Sequence, residues 1–215
     1  MDASKFFKEF EKHLTGDDKP SVYFNALVEE GQFPVGYPFA LLTRLKDIPQ
    51  SPVHHPEGNV WNHTMLVVDS AAQKRLLSND PLALMWAALL HDLGKITNTK
   101  IRSGRITAYE HDVAGEILAR DFLKACTGDE GLIKRVSALV RWHMQLLYVT
   151  KHLPFADLKS MVKETDPGEV ALLCFCDRLG RGDLTQQAVD EELKSIEYFL
   201  RKCEKYGKTA VSIKR

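Results

Sequence analysis

The residues best suited to chemistry lie at the end of an apolar run. His91 and Asp92 follow directly after residues 82–90, and Gly94 and Lys95 come next. A glycine here could end a buried helix, which would leave an imidazole and a carboxylate side by side at its inner end. Both groups are metal ligands, and a packed helix gains nothing from them unless something is bound there. The pair therefore favours a metal-dependent hydrolase.

A second carboxylate lies in an apolar segment. Asp177 follows the apolar residues 172–176, and burying an ionised carboxylate there costs on the order of several kcal/mol unless it is paired or metal-bound. The alternative to a metal is an ion pair with Arg178 or Arg181. Because adjacent helical side chains diverge by about 100°, Arg181 is the better placed of the two.

Three more histidines lie at the ends of apolar helical segments. His63 lies near the start of one segment, His111 opens another and His143 ends a third. A single buried histidine is more often a hydrogen-bonded core residue, but four histidines with two aspartates favour a metal site. Imidazole and carboxylate together suit Zn, Fe, Mn, Ni or Co.

The four cysteines do not form a spaced metal-binding pattern. Cys126 and Cys203 stand alone, and Cys174 and Cys176 form a C-x-C sequence in an apolar run. Free thiols in such runs are usually small buried hydrophobes, so we interpret them as core residues.

Composition limits the class of protein. The 215 residues allow one substantial core, and 29 basic and 29 acidic residues give a formal net charge of zero. Neutrality argues against a protein that coats nucleic acid, because such binding needs many cations. It is compatible with a small phosphorylated substrate or one RNA end. The charged N-terminal residues 1–10 and the absence of a long apolar run predict a cytoplasmic protein with no membrane contact.

Apolar periodicity predicts an all-α fold with little strand. Asp80 before Pro81 and Asp166 before Pro167 indicate two helix starts, and residues 101–108 could form a small hairpin or a loop. An irregular connection is expected over 31–56. The predicted helices span residues 4–14, 21–30, 60–77, 81–91, 110–126, 130–143, 155–163, 167–179 and 184–206.

These residues resemble a known family. The order of His63, His91-Asp92 and Asp177 is similar to the signature of the HD-domain metal-dependent phosphohydrolases, an all-α helical bundle with a metal site in its core. More closely, four segments are similar to the HD domain of bacterial tRNA CCA-adding enzymes. They are residues 55–64 (HPEGNVWNHT), 91–95 (HDLGK), 110–115 (EHDVAG) and 177–182 (DRLGRG).

The resemblance covers roughly residues 34–183 and implies a division of the chain. We expect an N-terminal helical segment over 1–33, the HD domain over 34–183, and a C-terminal helix with a basic tail over 184–215. The C-terminal helix could pack on the core or support a homodimer.

The resemblance also implies one or two divalent ions, of Mn, Ni, Co, Fe or Zn, with Mg as a further candidate. Asp92 would bridge two ions, and His111 with His143 would hold the second. If one ion binds, those two histidines could instead contact phosphate or the leaving oxygen. The implied metal ligands are His63, His91, Asp92, His111, His143 and Asp177.

Other residues have candidate roles toward substrate. Lys95 with Asp92 would be catalytic, because a compact cation can offset charge on phosphoryl oxygens; the alternative is a solvated lysine near a helix end. Arg178 and Arg181 could orient phosphate bidentately, although Arg181 could only hold Asp177. His55 and Glu57, in a loop before His63, are further candidates for substrate binding or for support of a ligand.

The sequence thus predicts a phosphomonoesterase or phosphodiesterase that acts on a nucleotide, a cyclic nucleotide or a phosphorylated RNA end, by attack of a metal-activated hydroxide on phosphorus. The alternatives are a non-catalytic tRNA-binding or accessory module, and a metal-stabilised scaffold closed to substrate. No Gly-Ser dipeptide of a nucleotidyltransferase domain occurs, and residues 1–33 leave no room for one. CCA addition is therefore not expected of this chain by itself.

Overall fold

The computed structural model describes residues 3–182 and 184–207, and this part of the chain is all-α with one small hairpin. Strands β1 (Lys100–Arg102) and β2 (Arg105–Thr107) pair antiparallel, and Leu45–Asp47 and Arg75–Leu77 are short 3₁₀ helices. The α-helices are α1 (Ala3–Gly16), α2 (Pro20–Glu29), α3 (Ala40–Arg44), α4 (Val60–Lys74), α5 (Pro81–Leu90), α6 (Lys95–Asn98), α7 (His111–Lys124), α8 (Glu130–Trp142), α9 (Gln145–Thr150), α10 (Leu158–Glu164), α11 (Pro167–Leu179) and α12 (Gln186–Glu204).

Helix α5 lies at the centre of the fold. Every residue from Ala83 to Leu90 is buried, as expected for a helix that is apolar all round. It packs against α1, α4, α8 and α11, and Trp86 stacks on Phe7 of α1 with ring centroids 4.5 Å apart. The central helix therefore ends, at His91, inside the molecule.

The two predicted helix starts are confirmed. The Asp80 side chain accepts a hydrogen bond from the Ala83 N–H at 3.1 Å, and proline occupies the first turn of α5. The Asp166 side chain accepts from the Gly168 and Glu169 N–H groups at 2.7 and 3.3 Å. Each cap satisfies backbone donors that have no partner within the helix.

Several boundaries differ from the predicted ones. Helices α3, α6 and α9 have only four to six residues, too few to show a period. Helix α10 begins at Leu158 rather than residue 155, because the Asp157 side chain caps it. Of the two alternatives for residues 101–108, the hairpin is confirmed, and it extends from Lys100 to Thr107.

One buried apolar cluster joins the ends of the described chain. It includes Phe10 of α1, Trp86 of α5 and Phe199 of α12. All four cysteines are free and buried, which confirms their interpretation as core residues. The division into residues 1–33, 34–183 and 184–215 stays a prediction, and residues 208–215 of the basic tail lie outside the described residues. Among the described helices, none is long and apolar enough to span a membrane.

Gly94 has a different role from the one the sequence suggested. Its φ is −64°, so it is not the left-handed residue that commonly ends a helix. Instead, a Cβ at this position would lie 1.9 Å from the carbonyl oxygen of His111 and 2.6 Å from the Gly115 nitrogen. Gly94 is required because the start of α7 lies directly against it.

We expect Gly94→Ala to lower the free energy of unfolding by about 3 kcal/mol, because the methyl group meets backbone atoms that cannot move aside alone. Urea denaturation followed by circular dichroism would measure the change. Gly16→Ala is the matched control, since nothing lies within 4 Å of a Cβ there. Equal losses of unfolding free energy in both variants would contradict the conclusion that α7 packs directly against Gly94.

Candidate metal centre

Five helices bring the six predicted ligands together. His63 belongs to α4, His91 and Asp92 follow α5, and His111 opens α7. His143 follows α8, and Asp177 lies in the last turn of α11. Each of the six residues is at most 8% exposed.

Three of the histidine rings are held in the same way. Each Nδ1 faces a backbone carbonyl oxygen three residues earlier, at 2.9 Å for His91, 2.7 Å for His111 and 2.6 Å for His143. A carbonyl only accepts hydrogen bonds, so each Nδ1 carries a proton, and in the neutral ring the lone pair lies on Nε2. This is the tautomer that metal-binding histidines usually have.

The free nitrogen atoms face one another. His111 Nε2 lies 3.2 Å from His143 Nε2, and burial lowers the pKa of both rings, that of His143 to about 4. His91 Nε2 is buried with no hydrogen-bond partner among the described residues. Neutral rings with opposed lone pairs need a cation between them, so the donor set fits a metal ion.

Asp92 lies between two groups of histidines. Its Oδ2 is 3.3 Å from His91 Nε2 and 3.8 Å from His63 Nε2. Its Oδ1 is 3.4 Å from His111 Nε2 and 4.0 Å from His143 Nε2. Within each group, the candidate ligand atoms lie within 4.8 Å of one another. One carboxylate could therefore serve two ions.

His63 differs from the other three rings because both of its nitrogens face acceptors. Nε2 is 2.9 Å from Asp177 Oδ1, and Nδ1 is 2.8 Å from Glu57 Oε1. Burial alone would lower the pKa of His63, but the hydrogen bonds with Asp177 and Glu57 raise it to about 9. In the metal-free protein this ring is protonated, and metal binding would displace the proton.

The ion-pair alternative for Asp177 is only partly realised. Arg181 Nη2 lies 3.7 Å from Asp177 Oδ2, which is longer than the contact with His63. Arg178 pairs instead with Glu192 of α12, at 3.3 Å. Asp177 is thus shared between a histidine and an arginine. Its pKa, which burial would raise, is held well below its usual range by Arg181 and His63.

Lys95 is buried beside Asp92 rather than solvated. Its Nζ lies 2.7 Å from Asp92 Oδ2 and donates a hydrogen bond to Gln50 Oε1 at 2.6 Å. Burial would raise the pKa of Asp92, but Lys95 and His91 hold it well below its usual range. Gln50 was missed in the sequence because nothing distinguishes it in the irregular segment before α4.

A cavity of about 960 Å³ opens onto this cluster. His55 lines the cavity. Glu57 is a buried side chain that accepts hydrogen bonds from the Nδ1 atoms of His55 and His63, each at 2.8 Å. Sequence reasoning also missed Arg141, which donates to Asp112 Oδ2 at 2.9 Å. The cationic residues that line the cavity are Lys95, Arg141, Lys151, Arg178 and Arg181.

A family model described as "HD domain" matches residues 60–182, a span that contains all six candidate ligands. The chain belongs to the HD-domain family. Members of this family are generally metal-dependent hydrolases. The resemblance seen in the sequence and the helical fold are thereby confirmed.

Curated relatives match about half of the chain. The "Multifunctional CCA protein" of Actinobacillus pleuropneumoniae serotype 5b is 40% identical over 124 residues, which are 56% of this chain and 28% of that protein. The protein of the same name from Pseudomonas fluorescens strain Pf0-1 is 34% identical over 111 residues, 52% of this chain and 25% of the relative. The matched region therefore spans about a quarter of these relatives.

We expect purified protein to bind about two divalent transition-metal ions per chain, because two groups of histidines share one carboxylate. Asp92→Ala should lose both ions, whereas His143→Ala should keep about one. Elemental analysis after gel filtration would measure the content. His152→Asn is the control, since this exposed histidine has a φ of 52°, which asparagine tolerates. Wild-type protein that holds only one ion, with the same content in His143→Ala, would make His111 and His143 substrate contacts.

Proposed function

We propose that this chain is a divalent-metal-dependent phosphohydrolase that acts on a nucleotide, a cyclic nucleotide or a phosphorylated RNA end. The observation that supports this is the convergence of the Nε2 atoms of His91, His111 and His143 with Asp92, beside a cavity that five basic side chains line. Buried ligands suit a metal, and the surrounding cations suit a phosphate.

In this proposal Asp92, with His63, His91 and Asp177, would hold one ion. Asp92 with His111 and His143 would hold the other. When bound, the ions supply Lewis-acid activation of the phosphoryl group and of the attacking water. The Nδ1–carbonyl bonds of the rings keep the ligands oriented before any ion arrives.

Lys95 contributes a fixed positive charge. Its contacts with Asp92 and Gln50 hold the ammonium group at the cavity wall, where it would offset charge that develops on the phosphoryl oxygens. Because the group is already in place, little reorganisation is needed when the substrate reacts.

Arg178 and Arg181 would orient the phosphate. Both line the cavity, and Arg181 Nε is buried with no hydrogen-bond partner among the described residues. A guanidinium can bind two phosphate oxygens at once. His55 lines the same cavity and would contact substrate, while Glu57 would support His63 and His55.

The alternatives differ from the enzyme in what they predict. A non-catalytic RNA-binding or accessory module needs no ligand set, yet every implied ligand is present in this chain. A closed metal scaffold needs no cavity, yet one opens onto the cluster. The partial likeness to multifunctional CCA proteins is the reason to keep an RNA end among the substrates.

Hydrolysis of bis-p-nitrophenyl phosphate and of a panel of 2′,3′-cyclic and 5′-nucleotides tests the proposal. We expect turnover with added Mn, Ni, Co or Zn that is abolished by Asp92→Ala. Lys95→Met should lower kcat about 100-fold, as loss of one transition-state donor does, with no loss of bound metal.

His152→Asn should keep full activity in the same assays. Metal-loaded protein that hydrolyses none of these substrates would overturn the enzyme hypothesis and leave the accessory module as the better account. A Lys95→Met variant with normal kcat would remove Lys95 from the mechanism.

A further inference from the structure

One wall of the cavity is apolar in a way that phosphate hydrolysis alone does not require. It comes from α9, the residue before it and the loop after it. We name this wall the apolar shelf, and its residues are Met144, Leu147, Tyr148, Leu153 and Phe155. Phe155 is 58% exposed. Large apolar side chains left open beside a polar centre usually mark a place where a ligand binds.

The shelf is held rigidly by a buried side chain. Gln145 is 1% exposed; its Nε2 donates to the Phe155 carbonyl oxygen at 3.4 Å, and its Oε1 accepts from the Asp157 N–H at 2.8 Å. The Leu153 N–H also donates to the Tyr148 carbonyl oxygen at 2.8 Å. These bonds fix the loop against α9 before any ligand is present.

The two aromatic rings of the shelf lie together. Tyr148 and Phe155 have centroids 5.5 Å apart and an interplanar angle of 60°, which is an edge-to-face contact. Tyr148 is half-buried, so burial is the main cause that raises the pKa of its hydroxyl to about 12. The hydroxyl is therefore neutral at pH 7, and the pair offers ring surface to the cavity without negative charge.

Cations border the shelf. Lys151 and Arg141 line the same cavity, and Arg141 is held by Asp112. The candidate metal ligands Asp92 and His143 form the floor. Glu110 and Asp112 also line the cavity, and Asp112 is paired with Arg141. A ligand that contacts both the apolar shelf and the cations has a flat apolar part joined to an anionic part, which describes a nucleobase joined to a phosphoester.

We propose that the apolar shelf binds the base of a nucleotide-type phosphoester, with Tyr148 and Phe155 as specificity-determining residues. This inference rests on the proposed phosphohydrolase function and names the part of the substrate that the function leaves open. Because every base has a face that can stack on an aromatic ring, we expect the four common bases to bind within a few-fold of one another.

Binding of a matched pair of ligands tests the shelf without requiring hydrolysis. Adenosine 5′-monophosphate and ribose 5-phosphate carry the same phosphate, and only the first has a base. By calorimetry on metal-loaded protein, we expect the nucleotide to bind roughly ten- to hundredfold more tightly, the contribution of one stacked base.

Phe155→Ala should reduce this preference about tenfold, and Phe155→Tyr, which keeps a ring, should restore it. Tyr206→Ala is the matched control, because this exposed tyrosine of the C-terminal region does not line the cavity. It should retain the wild-type preference. Circular dichroism would confirm that each variant is folded.

The outcomes separate this inference from the proposed function. Equal binding of the two ligands, or a preference that Phe155→Ala leaves unchanged, would overturn the shelf even if phosphoesters are hydrolysed. A preference that depends on Phe155 in a protein that hydrolyses nothing would support the shelf and overturn the phosphohydrolase. Where hydrolysis occurs, kcat/KM for the pair should follow the same ratio.

Discussion

The candidate site depends on hydrogen bonds between histidine Nδ1 atoms and nearby backbone carbonyls. For His91 and His143 the acceptor lies in the last turn of the preceding helix, α5 or α8, where carbonyl oxygens have no donor within the helix. One bond thus satisfies the helix end, sets the tautomer and directs Nε2 inward. The ends of buried helices therefore supply both the position and the protonation state of the ligands.

The protein tolerates so many buried charges because its buried carboxylates are paired with cationic side chains. Asp92 and Asp177 have pKa values well below their usual range despite burial, owing to Lys95 and Arg181 among their neighbours. Burial would raise the pKa of Glu57, but hydrogen bonds from His63 and His55 lower it to about 2. The three carboxylates face Lys95, Arg181 and protonated His63. A bound cation would take over the charge that His63 carries, which is how metal binding and proton release become linked.

How far the sequence predicts this site depends on the kind of feature. The central helix and its Asp80 cap follow from a long apolar run and a cap–proline pair. The six candidate ligands could be found because they lie at or near the ends of apolar segments. The burial of Lys95 was not predictable, because its partner Gln50 lies in an irregular segment far along the chain. Helix α9 was missed because six residues show no period. Contacts between residues that are distant in the sequence, such as that of Gly94 with α7, leave no pattern in the local sequence.

The metal centre and the apolar shelf are built from one continuous stretch of chain. His143 follows α8, its carbonyl oxygen accepts from Cys174 Sγ at 2.7 Å, and Met144 then begins the shelf. The contact with Cys174 fixes the backbone of His143 against the core. Gln145 fixes the loop that follows α9. A change in the shelf loop would alter what is bound without moving the ligands, whereas a change at the α8–α9 junction would alter both. In the two proposals, the helix ends in the core set the reaction type, and the loop that follows them sets the selectivity.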